Sequence, residues 1–108
     1  MANTFKNGRA AATASLATVY SVPSATTAIV LLAQATNVGS GAQAVTLCWY
    51  DSSASNVKTE IVKLLSVPEK SSVGLLAGKL VLETGDYISI QSTASSLIEF
   101  SFSVLEIT

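Results

Sequence analysis

With no histidine among its 108 residues, this sequence offers seven carboxylates and one cysteine from which an active site would have to be built. The missing imidazole excludes Ser-His and Cys-His nucleophilic sites and removes the commonest zinc ligand. Cys48 has no second cysteine to pair with and no basic neighbour to favour its thiolate, so it reads as a small hydrophobe or a surface thiol. Among Asp51, Glu60, Glu69, Glu83, Asp86, Glu99 and Glu106, only Glu83 and Asp86 lie at a spacing that suggests a glycosidase pair. They flank Gly85 in Glu83-Thr84-Gly85-Asp86, where acidic residues are ordinary turn formers, and a structural role is expected. The sequence has no D-x-D-x-D-G calcium loop and no glycine-rich phosphate cradle leading into a helix. It therefore supplies no catalytic, cofactor-binding or metal-ligating residue to name, and no enzyme activity is expected.

Binding is the alternative to catalysis. Six basic residues at positions 6, 9, 58, 63, 70 and 79 are scattered over a chain of net charge −1, which excludes the basic patch that nucleic-acid binding requires. A sugar-binding module would need exposed aromatic platforms, and the candidates are Tyr20, Trp49, Tyr50 and Tyr87. Trp49 shares its strand face with Val45 and Leu47, so core packing suits it better. Tyr50, on the opposite face, is the surface aromatic on which recognition of a host-surface carbohydrate would rest.

The elements that must position these residues are strands. Lys79 to Ser92 reads as two alternating runs, with Leu80 and Leu82 on one face of the first and Ile88 and Ile90 on one face of the second. The Gly85 reversal between them suggests a β-hairpin. Further strands are expected over about Ser15–Val22, Thr27–Asn37, Ala44–Asp51, Val57–Val67, Ser71–Leu76 and Leu97–Ile107. Pro23 and Pro68 end two of them, and an Asx turn at Asp51 opens the Ser-rich reversal to Asn56. Helix has little claim: Val57, Thr59, Ile61 and Val62 are β-branched. Ser21-Val22-Pro23 recurs as Ser66-Val67-Pro68, 45 residues on, and Ser52-Ser53-Ala54-Ser55 is echoed by Ser92-Thr93-Ala94-Ser95, as two similar halves would give. The expected fold is all-β: an antiparallel β-sandwich of about eight strands, jelly-roll-like, over residues 13–108. Residues 1–12 carry one large apolar group, Phe5, and read as a flexible N-terminal arm.

Composition points to assembly. Charged residues make up 12% of the chain, about half the usual fraction, so part of the surface is expected to be covered by other subunits. Phe5, with Lys6 and Arg9 beside it, is the candidate contact with a neighbour. The longest apolar run, Ala28 to Ala33, is six residues and suits a buried strand, not a membrane span. Thr, Ser and Pro23 separate Lys6 and Arg9 from that run, a poor layout for a signal peptide. The single cysteine fits folding in a reducing compartment.

Several stretches resemble small β-sandwich virion structural proteins of tailed bacteriophages. They are Thr18-Val19-Tyr20-Ser21-Val22-Pro23, the turn Ser24-Ala25-Thr26-Thr27-Ala28, Tyr50-Asp51-Ser52-Ser53-Ala54, Leu82-Glu83-Thr84-Gly85-Asp86-Tyr87-Ile88, and Ser103-Val104-Leu105-Glu106-Ile107. The resemblance implies a capsid decoration (cement) protein or a neck or tail component. It also implies a symmetric homo-oligomer, with a trimer favoured by local three-fold capsid positions. The implied partners are other copies of the chain and the major capsid protein or other virion proteins. The implied location is the virion, with the host cytoplasm during assembly. No catalytic residue comes with the resemblance.

The reversal at Gly85 requires a positive φ, which a β-branched residue tolerates badly. Gly85→Val is expected to lower the equilibrium unfolding free energy by at least ~1 kcal/mol. An unchanged denaturation midpoint would misplace the turn.

Overall fold

Ile98, Phe100, Phe102 and Val104 alternate along the last strand with Glu99, Ser101 and Ser103, and the two sets part cleanly into a buried and a more exposed face. In the computed structural model, which describes residues 2–108, that strand is the centre of one of two packed sheets. The strands are β1 (Asn3–Ala11), β2 (Ala17–Ser21), β3 (Thr27–Asn37), β4 (Gln43–Asp51), β5 (Val57–Val67), β6 (Ser72–Gly74), β7 (Leu80–Leu82), β8 (Tyr87–Ser92) and β9 (Ile98–Ile107). Sheet A has the order β1-β9-β3-β6, with β7 also on β3; sheet B has the order β2-β8-β4-β5, and every pairing is antiparallel. β6 pairs with Gln34–Thr36 and β7 with Ala28–Val30, so the two are halves of one interrupted edge strand. Counted that way, eight strands in these orders make the two interlocked Greek keys of a jelly roll.

The N-terminal segment corrects the expected flexible arm. Residues 3–11 form β1, in unbroken register with β9 from Asn3↔Ile107 to Ala11↔Glu99. Its inward side chains are Lys6, Gly8 and Ala10, too small or too polar to give a hydrophobic pattern. Gly8 and Ala10 are small because β9 supplies the bulk. Phe102 lies between Gly8 on β1 and Ala33 on β3, and Phe100 lies between Ala10 and Ala35. A Cβ placed on Gly8 would come within 2.3 Å of the Phe102 ring. Each ring thus occupies the room its two cross-strand partners leave, as large-against-small packing requires. Backbone bonds continue past the strand: Ala12 N–H donates to the Ile98 carbonyl at 2.9 Å, and Ala12 itself is fully buried.

The second correction concerns residues 79–92. β7 pairs in sheet A and β8 in sheet B, so the segment is a corner between sheets and not a hairpin. Gly85 does take φ +87°, as the reversal demands. Its N–H donates to the Val22 carbonyl at 3.2 Å, and Thr84 Oγ1 donates to the Thr26 carbonyl at 2.6 Å. The partner of this turn is therefore the β2–β3 corner, far away in sequence.

The Ser-Val-Pro echo marks two equivalent corners. Val22 and Val67 are both buried and both precede a proline, Val22 directly after β2 and Val67 at the end of β5, the two edge strands of sheet B from which the chain crosses to sheet A. Three residues on, Ala25 and Lys70 both have positive φ, 52° and 59°. One residue further, the hydroxyls of Thr26 and Ser71 each donate to the carbonyl two residues back, at 2.9 and 3.3 Å.

Between the sheets lie Ala28, Val30, Ala33, Ala35, Val45, Leu47, Val67, Ile88, Ile90, Ile98, Phe100, Phe102 and Val104. Trp49, expected inside with Leu47, is half-buried and packs against the edge of this core. Asn37 is the largest polar residue fully enclosed: its amide donates to the carbonyls of Gly41 and Val67 at 2.9 and 3.0 Å, and its Oδ1 accepts from Gly39 N–H at 3.0 Å. It ties the β3–β4 loop to the end of β5.

This packing sets the expected outcome for three substitutions. Gly8→Val should destabilise the fold by about 1–3 kcal/mol through overpacking against Phe102. Gly78→Ala, where a Cβ meets nothing within 4 Å, should leave the chemical-denaturation midpoint within error of wild type. Asn37→Leu should cost about 1–3 kcal/mol, because the Val67 carbonyl loses its side-chain donor in a dry site. A wild-type midpoint for Asn37→Leu would show the three bonds to be expendable.

Candidate functional site

Asp51 converges with Glu83 and Asp86, more than thirty residues on, so that one oxygen of each lies within 4.8 Å of the others. The convergence has a structural cause. Asp86 is buried, its Oδ2 accepts from Glu83 N–H at 2.9 Å, and its Oδ1 accepts from Ser52 N–H and Ser52 Oγ at 3.0 and 3.2 Å. Asp51 Oδ1 accepts from Ser53 N–H and Oγ at 3.2 and 2.7 Å, the Asx turn expected there. Asp86, through Ser52, staples the corner at 83–86 to the β4–β5 turn, while the Asp51 bonds stay within that turn. Glu83 is exposed, so the pair has no enclosed cleft in which an acid and a base would divide their roles.

Cys48 is fully buried, and that burial pushes its thiol up from its ordinary range. A protonated, inaccessible thiol is neither nucleophile nor cross-linker. Tyr50 stacks on Tyr87 with ring centroids 4.4 Å apart and planes 9° from parallel, on the outer face of sheet B. Each ring gives one face to the other, which leaves little platform for a sugar.

The three N-terminal residues meet different fates. Lys6 points inward and its Nζ donates to Glu106 at 2.9 Å. The other oxygen of Glu106 accepts from Tyr20 Oη at 2.6 Å. Tyr20 belongs to sheet B, so this triad joins β1, β9 and β2 across the sandwich edge; its ring also packs on Phe102, with centroids 5.7 Å apart. The Tyr20 hydroxyl and the Lys6 ammonium hold the Glu106 carboxyl below its usual range, and burial, reinforced by Glu106, raises the Tyr20 phenol well above its own. Lys6 is therefore bound within its own chain. Phe5 and Arg9 point the other way, onto the outer face of sheet A, and Phe5 is 72% exposed.

That outer face has a feature the linear sequence conceals. Register places Phe5 opposite Leu105, Leu105 opposite Ile29, and Ile29 opposite Val81, one apolar row across all four strand positions of sheet A. Leu32, 45% exposed, stands beside the row, and Val81 is 57% exposed. Of the remaining outward strand positions, Ala11, Leu31 and Ile107 are also apolar and the others are polar or glycine; only Arg9 and Glu99 among these strand positions are charged, both at the end away from the row. The outer face of sheet B differs. It carries Lys58 and the exposed pair Glu60–Lys63, whose 2.9 Å bond raises the lysine and lowers the glutamate from their ordinary ranges. A shallow trough runs along β9 on the sheet A face, floored by Ser101 and Ser103 and walled by β1 and β3. The apolar run Ala28 to Ala33 suits a strand buried on both sides. Within the chain, the outer face is open.

No protein-family model matches the chain, and no curated protein is similar to it in sequence. Solved structures share its fold. A chain of the disulfide-linked pili of Bacillus endospore appendages superposes with a TM-score of 0.61 at 17% identity, over 99% of this chain and 87% of that one. A chain of the IBDV viral particle gives a TM-score of 0.61 at 6% identity, with 96% of this chain spanning 30% of that one. A chain of the acid-stable capsid of the Helicobacter pylori bacteriophage KHP30 gives 0.57 at 11% identity, over 100% of this chain and 89% of that one. At these identities the likeness is one of fold, and this chain shares with them a jelly-roll sandwich.

The triad sets a pH dependence. Because the folded state lowers the Glu106 pKa, its contribution to stability is present above the unfolded value, ~4.3, and is lost as pH falls through the folded value. Unfolding free energy of the wild type should therefore fall more steeply below about pH 4.5 than that of Glu106→Gln. Parallel slopes in urea titrations from pH 3 to 7 would remove the triad from the stability of the fold.

Proposed function

We propose that this chain is a non-enzymatic structural protein of a virus particle, and within that class a capsid decoration (cement) protein. The observation that carries the reading is the pairing of a jelly-roll sandwich with one open, nearly uncharged and partly apolar sheet face. Such a face is a liability on a free monomer and an asset on a subunit that spends its working life against a neighbour. The virion resemblance of the strand and corner sequences and the fold likeness to viral particle proteins support the same reading. Phe5 and Arg9 serve as partner contacts on this face, while Lys6 contributes indirectly by fixing β1 to Glu106. Other copies of the chain and the major capsid protein are the partners, and the chain reaches the particle from the host cytoplasm.

Two other readings fare less well. The stacking of Tyr50 on Tyr87 weakens a carbohydrate platform. The disulfide linkage named for the Bacillus pili has no counterpart chemistry here, because Cys48 is buried. The test is mass spectrometry of purified particles from the host, followed by cryo-electron microscopy. The chain should be present in stoichiometric amount, with sandwich density at symmetric positions on the shell. Density confined to the neck or tail would favour the neck or tail role, and absence from particles would end the virion reading.

A further inference from the structure

We infer that the outer face of sheet A is the contact between two copies of this chain, packed back to back about a two-fold axis parallel to the strands. The inference deepens the assembly role proposed above by naming the partner for one surface. Three observations lead to it.

The apolar row is complementary to its own two-fold image. Rotation about an axis parallel to the strands places β1 over the partner subunit's β7, and β9 over the partner subunit's β3. Phe5 then meets the partner subunit's Val81, and Leu105 meets the partner subunit's Ile29. All four positions of the row find apolar partners, and the two most exposed ones, Phe5 at 72% and Val81 at 57%, meet each other. The same rotation leaves the apolar end on the apolar end, and the row itself contains no charged residue.

Charge is also matched. The face carries one cation, Arg9, and one anion, Glu99, at its polar rim, so two copies meet without net repulsion. The outer face of sheet B carries Lys58, Glu60 and Lys63, and the exposed apolar residues of that sheet, Val57, Leu64 and Leu65, all lie along the one edge strand β5 and form no row across the strands.

Area is sufficient. β9 is ten residues long and four strand positions lie side by side. At about 3.4 Å per residue and about 4.8 Å between strands, the face covers roughly 600 Å2. Burying it on both copies removes about 1,200 Å2, the lower end of the range for specific, stable interfaces. The trough along β9, with serines on its floor, admits the ridge of side chains from the opposing sheet. Two-fold symmetry makes the elementary unit a dimer, in place of the trimer that the virion resemblance implies.

The experiment is sedimentation equilibrium of the full chain, with variants on both faces. The wild type should be a dimer in the micromolar range. Phe5→Asp and Val81→Asp, both at exposed positions, should weaken association on the order of 100-fold while leaving circular dichroism and the unfolding midpoint near wild type. Leu64→Asp, at a position 59% exposed on β5 of sheet B, should leave the dimer intact. A second measurement fixes the geometry. Positions 5 and 81 lie three strand spacings apart within one copy, about 14 Å, too far for an internal disulfide. In a Cys48→Ser background, the Phe5→Cys, Val81→Cys double variant should form covalent dimers with oxidised glutathione, and neither single variant should match it. A monomer, a trimer, a dimer that persists in Val81→Asp, or an absence of cross-linking in the double variant would overturn the inference. None of these outcomes bears on whether the chain is found in particles, so the two proposals fail separately.

Discussion

The fit of Phe102 against Gly8 is the contact on which the closure of sheet A depends. A phenylalanine ring projecting from β9 needs room on both sides, and Ala33 and Gly8 leave it. With any side chain at position 8, either the ring or β1 would have to shift, since the Cβ would lie 2.3 Å from the ring. β1 lies over the inner edge of the sandwich, where Tyr20 reaches from sheet B to Glu106, and Lys6 from β1 completes the triad. One small residue thus admits a strand, the strand brings a lysine, and the lysine helps neutralise a carboxylate that burial would otherwise penalise. Ring packing and charge pairing hold the same edge by separate means.

The corners repeat where the strands do not. Val22-Pro23 and Val67-Pro68 bury a valine, remove a ladder donor and follow with a left-handed residue, and both carry the chain from sheet B to sheet A. Proline fixes the exit and the buried valine anchors it, so the same short sequence serves both halves of the fold. The second echo has no such meaning. Ser52–Ala54 is a 3-10 turn joining strands of one sheet, whereas Thr93–Ser95 lies between β8 of sheet B and β9 of sheet A. Serine-rich composition alone accounts for it.

What was legible in the sequence follows from where bulk resides. β9 was plain because its large residues alternate; β1 was invisible because its inward positions are small, and its packing partner lies nearly the whole chain away. The Gly85 reversal was legible from one glycine, but a turn's local chemistry does not say whether its flanking strands share a sheet, so a hairpin was expected where a corner exists. Glu83 and Asp86 were read correctly as turn residues. Ser52, the residue that Asp86 grips, is 34 positions away and carried no signal. Trp49 was assigned by strand parity alone, which gives the face of a side chain but not whether the facing sheet extends that far.

The candidate surface was hidden for a related reason. Phe5, Ile29, Val81 and Leu105 are unremarkable one at a time, and single exposed apolar residues are ordinary. They become a surface only when antiparallel register sets them side by side, and register is a property of pairing, not of any one segment. The low charge of the chain pointed to surface covered by other subunits, without saying which. The structure divides that shortage unevenly: sheet B keeps lysines and a glutamate on its outer face, and sheet A places its charge at one rim. In the assembly role proposed above, the difference between the two faces would be what orients the subunit, with the less charged face against a neighbour.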